Sequence, residues 1–259
     1  MELILFALSV LPVLLIGLYI YKKDKQKEPM KLLISLFIGG IGSCFITFLL
    51  SAILGFIFPI FNADPEGLNL IELLFQVFIG VALVEEFSKW IILYKVSFKN
   101  TAFDELYDAL LYGMFVALGF ACFENLLYVY SGGIGVAVTR AISAVPGHVC
   151  DGMVMGYFLG LAKMGKLYND NKKYKTNLVL SLLAPTITHG IYDYCLFVGK
   201  PVFIVIFIIF VICLYIFVIK KIKKISSINR KMKYENNYCP NCGHIVESNF
   251  CPNCGKENK

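Results

Sequence analysis

The chain has 259 residues, 58% of them hydrophobic and 16% charged, with a formal net charge of +6 and a mean hydropathy of +0.71. That balance excludes a soluble globular protein of ordinary composition and makes lipid the solvent for most of the chain. At roughly 20 apolar residues per span there is room for several spans and one small appendage, and none for a large soluble domain.

Residues 1 to 21 are apolar and begin Met-Glu-Leu, without a basic n-region or an Ala-x-Ala cleavage site, so they read as a retained first span rather than a signal peptide. Further apolar stretches fall at about 31–60, 70–95, 108–130, 136–162, 177–198 and 201–219. The expected fold is therefore all-α, a polytopic transmembrane helical bundle of about seven spans. The second stretch holds Gly39, Gly40 and Gly42 and is longer than one span needs, which predicts a tilt, a kink or a short extra element.

Lysines sit in short clusters between the apolar stretches rather than over one face, which is the pattern of membrane topology; no nucleic-acid partner is expected. The basic loops hold Lys22 to Lys31, Lys95 and Lys99, Lys166 to Lys175, and Lys220 to Lys233, while the loop at 61–69 has none and carries Asp64 and Glu66. Alternation of this kind places the N-terminus outside and the C-terminus in the cytoplasm of a multi-pass cell-membrane protein. Lys89 and Trp90 read as an interfacial anchor, Asp108 and Glu105 as solvated groups at a helix start, and Arg140 as a residue that snorkels to the headgroups, with pairing to an acidic group as a minor alternative.

After the last span the chain divides into a basic cytoplasmic linker over 221–236 and a tail over 237–259, set apart from the membrane domain over 1–220. The tail carries Cys239, Cys242, Cys251 and Cys254 in two Cys-Pro-Asn-Cys-Gly knuckles. Paired Cys-x-x-Cys turns bring four thiolates onto one Zn²⁺ tetrahedrally, so a small zinc ribbon with a structural Zn²⁺ is expected, docking on the membrane domain or on a cytoplasmic protein partner. So short a segment cannot build its own hydrophobic core, and metal would supply most of its folding energy. Cys44, Cys122, Cys150, Cys195 and Cys213 are dispersed in spans and read as small apolar fillers.

Ionisable residues interrupt four spans: Glu85, Glu86 and Lys89 the third, Glu124 with Asn125 the fourth, His148 and Asp151 the fifth, His189 and Asp193 the sixth. A charge near the bilayer centre costs roughly 2.5–3.5 kcal/mol on insertion scales, so these groups are expected to face one another or a shared water-filled pocket. Glu85 and Lys89, His148 and Asp151, and His189 and Asp193 are spaced to share helix faces, which puts Asp151 and Asp193 beside imidazoles they can orient. Adjacent Glu85 and Glu86 point about 100° apart, so one of them lines the pocket directly.

These residues resemble the PrsW family of membrane proteases, which is similar in its motifs to CAAX prenyl proteases and bacteriocin-processing enzymes. The resemblance runs through Glu85, Glu86 and Lys89 in EEFSK, Phe120, Glu124 and Asn125 in FACFEN, His148, and His189 and Asp193 in HGIYD, with Asp24, Glu28 and Pro29 matching an acidic-Pro segment. It implies a membrane-embedded endopeptidase that cuts a membrane-anchored protein, best known for anti-sigma factors. On that reading Glu85 and Glu86 activate water, His148 and His189 stabilise the oxyanion or orient water, and Glu124 supports them, with Lys89, Asn125, Asp151 and Asp193 around them. A catalytic metal held by the same Glu and His residues is the close alternative. An ion- or proton-coupled transporter and a non-catalytic scaffold acting through the zinc ribbon are the readings from other classes; no inverted repeat supports the first.

Overall fold

The computed structural model describes residues 2–228, 237–238, 245–246 and 253–255. Within them the chain is helical except for one short antiparallel pairing, Asn237–Tyr238 with Ile245–Val246. Cys239, Cys242 and Cys251 of the expected ribbon lie outside the described residues. The helices are α1 (Glu2–Lys23), α2 (Met30–Ile57), α3 (Leu70–Phe75), α4 (Val84–Ser97), α5 (Leu106–Ile142), α6 (Ala144–Leu167), α7 (Asn171–Val198) and α8 (Pro201–Ile228). Four helical stretches, Glu2–Lys23, Met30–Ile57, Leu106–Leu167 and Pro201–Ser227, are long and apolar enough to cross a membrane.

Local sequence explains where the rods begin and end. Pro29 opens α2, its carbonyl accepting from the amides of Leu32 and Leu33. Asn69 and Glu72 form a reciprocal capping box at α3, and Asp170 caps α7 by accepting from the Lys173 amide at 2.9 Å. At the other end of α7, Gly199 takes the left-handed conformation with φ of 63° that closes a helix and lets the chain turn straight into α8. α2 runs unbroken past Gly39, Gly40 and Gly42, and the chain beyond it forms two 3-10 turns, Pro59–Asn62 and Pro65–Gly67.

Two irregularities shape the bundle. Residues Gln76–Leu83 wind as a π-helix that joins α3 to α4 in one rod; such widened turns recur at functional sites. The Gln76 amide donates back to the carbonyls of Ile60 and Ala63 at 3.0 and 2.8 Å, while Gly80 leaves room for the Phe61 ring and Gly190 of α7 for the Phe78 ring. The second lies inside α5, where Gly133 has φ of 74° and ψ of −162°. Arg140 then reaches Glu124 at 2.7 Å, although 16 residues of straight helix would set them about 24 Å apart. The chain therefore reverses at Gly133, and residues 134–142 run back alongside the end of α5 before a break at Ser143 leads into α6.

α5 up to Cys122 and α6 from Val145 to Gly160 are mostly buried and form the centre, while α8 is mostly exposed on the periphery. Close contact at the centre comes from small residues. Gly113 of α5 packs on the carbonyl of Gly152 in α6, Gly156 on that of Ala109, and Gly40 of α2 on Val116 and Gly119. This is the small-xxx-small device by which helices approach in lipid. Cys44, Cys122, Cys150 and Cys195 fill buried positions and Cys213 is exposed.

At the end of the bundle that holds the α1–α2 and α4–α5 loops, the expectation of solvated acids fails. Asp108 and Glu105 are buried because Asp108 folds back to accept from the Glu105 and Asp104 amides at 2.6 and 3.0 Å, serving as the start of α5. Beside them Asp24 and Glu28 are also buried, Asp24 accepting from the Gln26 and Glu28 amides and Glu28 from the Tyr112 hydroxyl. Burial raises the proton affinity of both Asp24 and Glu28 above the ordinary carboxyl range.

Adding a methyl at Gly113 forces α5 from α6, so Gly113→Ala is expected to cost about 1–3 kcal/mol, read as a lower thermal unfolding temperature in detergent. Gly42→Ala, with open space around it, should leave that temperature unchanged or higher; equal losses at both would refute the close-packing argument. For Glu28 the sign follows from linkage: a carboxyl with raised affinity contributes stability that is complete below its ordinary value of 4.5 and declines as pH rises through the folded value. Glu28→Gln keeps an acceptor for Tyr112 without the charge, and is expected to flatten the fall in unfolding temperature as pH rises above the ordinary value of 4.5. An unchanged slope would assign that fall to other groups.

Candidate active site

The polar groups of the middle of the bundle converge. Glu86 on α4 is fully buried, and its Oε1 takes the Lys89 ammonium at 2.6 Å and His189 Nδ1 of α7 at 2.7 Å. Lys89 also meets His148 Nδ1 of α6 at 3.3 Å and lies 4.2 Å above the Phe120 ring. His189 Nε2 faces Asp193 at 3.1 Å and Glu85 Oε2 at 3.8 Å. On the far side His148 Nε2 meets Glu124 Oε2 at 2.7 Å. The two imidazoles lie edge to face, 5.4 Å between ring centres.

The hydrogen-bond pattern fixes much of the proton placement. Glu124 Oε2 receives Arg140 as well as His148 Nε2, so a neutral His148 carries its proton on Nε2 and turns the Nδ1 lone pair to the Lys89 ammonium. His189 instead stands between carboxylates at both nitrogens, an arrangement that suits an imidazolium or a proton shared with one of the acids.

A cavity of about 540 Å³ opens on this cluster. Its lining combines the ionisable Glu85, Glu124, His148, Asp151, His189 and Asp193 with Tyr128, Ile142, Tyr192, Leu196, Phe197 and Phe207. Of the adjacent glutamates Glu85 reaches the cavity, while Glu86 lies behind it. Such a chamber combines an apolar wall for a peptide side chain with several groups able to accept or donate protons.

Each residue expected at the intramembrane site has a definite place, and three neighbours or members of it differ from expectation. Lys89 is no interfacial anchor: it is 1% exposed, since the Glu86 carboxylate supplies the partner a buried ammonium requires. Asp151 turns from His148 to accept from Thr188 of α7 at 2.5 Å. Arg140 does not snorkel. Its guanidinium holds Glu124 Oε2 at 2.7 Å and Asn125 Oδ1 at 2.9 Å and stacks on the Tyr128 ring at 4.2 Å. Asn125 passes the connection to α1 by donating to the Ser9 carbonyl at 2.8 Å. Thr188 was missed by sequence reasoning, and for Arg140 the pairing with an acidic group, given only as the minor alternative, is the one found. The available signal was that Arg140 is the single arginine in any apolar stretch of a chain that otherwise uses lysine, and the guanidinium fork is suited to a carboxylate.

A metal has a chemically suitable donor set here. Ligand atoms of Glu86, His148, Asp151 and His189 lie within 4.8 Å of one another, as do those of Glu85, Glu124 and His148. The Oε2 atoms of Glu85 and Glu86 are buried with no hydrogen-bond partner, and imidazole with carboxylate is a usual set for zinc. These residues fit a divalent ion.

Comparison with known proteins agrees with this geometry. Residues 28–219 match the family model described as PrsW family intramembrane metalloprotease. The chain is 36% identical over 192 residues to "Protease PrsW" of Oceanobacillus iheyensis, covering 73% of this chain and 80% of the relative. It is 34% identical over 203 residues to the protein of that name in Clostridioides difficile, covering 76% and 81%, and 38% identical over 122 residues to that of Bacillus subtilis, covering 47% and 54%. No solved structure matches the chain. With its polar cluster on a cavity among membrane-capable helices and its match over most of the length, the chain belongs to the PrsW family of intramembrane proteases and is a membrane-embedded peptidase.

Proposed function

We propose that this peptidase cuts a single-span, membrane-anchored protein inside the 540 Å³ cavity, with Glu85 as the base that takes a proton from water. The observation that carries the reading is that Glu85, Glu124, His148 and His189, from four separate rods, all line that one cavity. Glu85 presents a buried carboxylate oxygen without a hydrogen-bond partner, the state of an acceptor waiting for a proton. Glu86, locked between Lys89 and His189, holds the imidazole and ammonium in place. His189 then turns its Nε2–H from Asp193 to the scissile carbonyl and holds the oxyanion, with His148, fixed by Glu124 and Lys89, supporting it from behind, and Glu85 returns its proton to the leaving amine. When a metal is bound, Glu86, His148, Asp151 and His189 would hold it, and it would supply Lewis-acid polarisation of the carbonyl. Family membership favours this reading over transport or scaffolding.

Seven spans with the N-terminus outside give the cavity a side. Residues 2–23, 30–57, 70–97, 106–132, 134–167, 171–198 and 201–228 form seven rods among the described residues, and their basic loops all fall at one end. His189 is about ten residues before Gly199, roughly 15 Å from the other end at 1.5 Å per residue, and the cavity extends outward from there to Phe197 and Phe207. The scissile bond is therefore placed in the outer half of the bilayer. The family resemblance points to an anti-sigma-like factor as the substrate, its cutting being a step of regulated proteolysis.

In liposomes, the purified chain is expected to cleave a single-span peptide at a bond in its outer half, mapped by mass spectrometry. Glu85→Gln should lower kcat by at least about 100-fold, and Glu86→Gln and His189→Ala comparably, with helicity and unfolding temperature retained. Full cleavage by all three variants would remove the mechanism, and a cut in the inner half would reverse the orientation.

The tail is proposed to bind one structural Zn²⁺ through Cys239, Cys242, Cys251 and Cys254. Their spacing supports it, as does the pairing of Asn237–Tyr238 with Ile245–Val246, which brackets the first knuckle. Cobalt substitution should give the intense thiolate charge-transfer absorption of a four-cysteine site, lost together in Cys239→Ser and Cys254→Ser. Identical spectra in wild type and variants would refute the ribbon.

A further inference from the structure

We propose that the Lys89 ammonium and a divalent cation are mutually exclusive occupants of one cage, formed by Glu86, His148, Asp151 and His189, so that Lys89 controls whether the site takes a metal. The four candidate ligands approach one another within 4.8 Å, and a cation is already among them. Lys89 Nζ stands 2.6 Å from Glu86 Oε1 and 3.3 Å from His148 Nδ1, so it engages one of the two Glu86 oxygens and the one ring lone pair that His148, bound to Glu124 through Nε2, has left for a metal. A third carboxylate oxygen, Glu85 Oε2, lies 3.8 Å away, and the Phe120 ring closes the opposite side at 4.2 Å.

Carboxylate and imidazole ligands hold zinc at about 2.0–2.2 Å. An ion bonded to Glu86 Oε1 could stand no farther than about 5 Å from an ammonium that is itself 2.6 Å from that oxygen, and would compete with it for the same His148 lone pair. Two cations cannot share such a contact in a buried site, where charge repulsion is weakly screened. Lys89 is 1% exposed and on a flexible four-carbon stem, so metal entry requires the ammonium to swing out of the cage. Metal affinity is thereby set by the work of displacing Lys89 as well as by the ligands themselves. This is a property of binding, independent of whether the cavity cleaves peptides.

The test titrates Mn²⁺ into the full chain in detergent without substrate, with binding followed by electron paramagnetic resonance. Mn²⁺ prefers carboxylate and imidazole over the tail's thiolates. Lys89→Met is expected to lower Kd for Mn²⁺ at least tenfold relative to wild type, Lys89→Arg to leave it at the wild-type value, and the double variant Lys89→Met with Glu86→Gln to lose the gain. Equal Kd for wild type and Lys89→Met would overturn the proposal. So would tight wild-type binding that Glu124→Gln alone abolishes, because the ion would then lie in the other ligand group. Should Lys89→Met fail to fold, the wild type carries its own readout: saturating Mn²⁺ is expected to make Lys89 reactive to acetylation, measured by mass spectrometry. Protection unchanged by Mn²⁺ would sink the competition.

Discussion

A carboxylate removed from water in the middle of a bilayer must find a positive or hydrogen-bonding partner at close range, because breaking a buried ion pair costs about 3–5 kcal/mol. Glu86, fully buried, meets that requirement with Lys89 from its own helix and His189 from α7, and every neighbouring polar group answers the same demand across a helix boundary. Lys89 joins α4 to α6 through His148, Glu124 joins α5 to α6, Asp151 joins α6 to α7 through Thr188, and Asn125 joins α5 to α1. The network thus fixes which faces of the rods meet. Removing one member strands another, so the arrangement is cooperative rather than a set of separate contacts.

Polar pairing alone does not bring backbones close enough for short side chains such as Asp151 and Thr188 to touch. That proximity comes from glycine and alanine at the α5–α6 and α2–α5 crossings, where dispersion between close backbones replaces a hydrophobic drive that lipid does not supply. The central α5–α6 pair is consequently the most closely packed crossing. The cavity opens away from it, walled by residues near the Gly133 reversal and by Phe207 of the peripheral α8. Chemistry and access are carried by differently packed parts of the fold.

Much of this was legible from hydropathy and spacing. Apolar stretches located the rods, the gap between the stretches at 108–130 and 136–162 falls at the reversal, and the rarity of ionisable residues in spans drew attention to Glu85, Glu86, Glu124, His148 and His189. Three features were hidden for physical reasons. The π-helical turn at Gln76–Leu83 is held by contacts with Ile60, Phe61 and Ala63, which no local propensity encodes. Asp108 and Glu105 read as solvated because they stand at a helix start, whereas loops from α1–α2 and α4–α5 cover them. Arg140 lies sixteen positions from Glu124, outside any helical spacing rule, and becomes its neighbour only because Gly133 reverses the chain.

Charge balance gives the site its chemical character. Among the described residues, five carboxyl groups, Glu85, Glu86, Glu124, Asp151 and Asp193, surround two fixed cations and two imidazoles. Arg140 satisfies Glu124 with a planar fork that lysine could not reproduce toward both Glu124 and Asn125, and Lys89 satisfies Glu86. The remaining acids still outnumber the fixed positive charge and must be compensated by protons, by imidazolium or by a divalent ion. A site left short of fixed cations in this way has the charge balance that the proposed proton transfer and the proposed metal binding both require, and the Lys89 ammonium between Glu86 and His148 is the positive charge on which that balance turns.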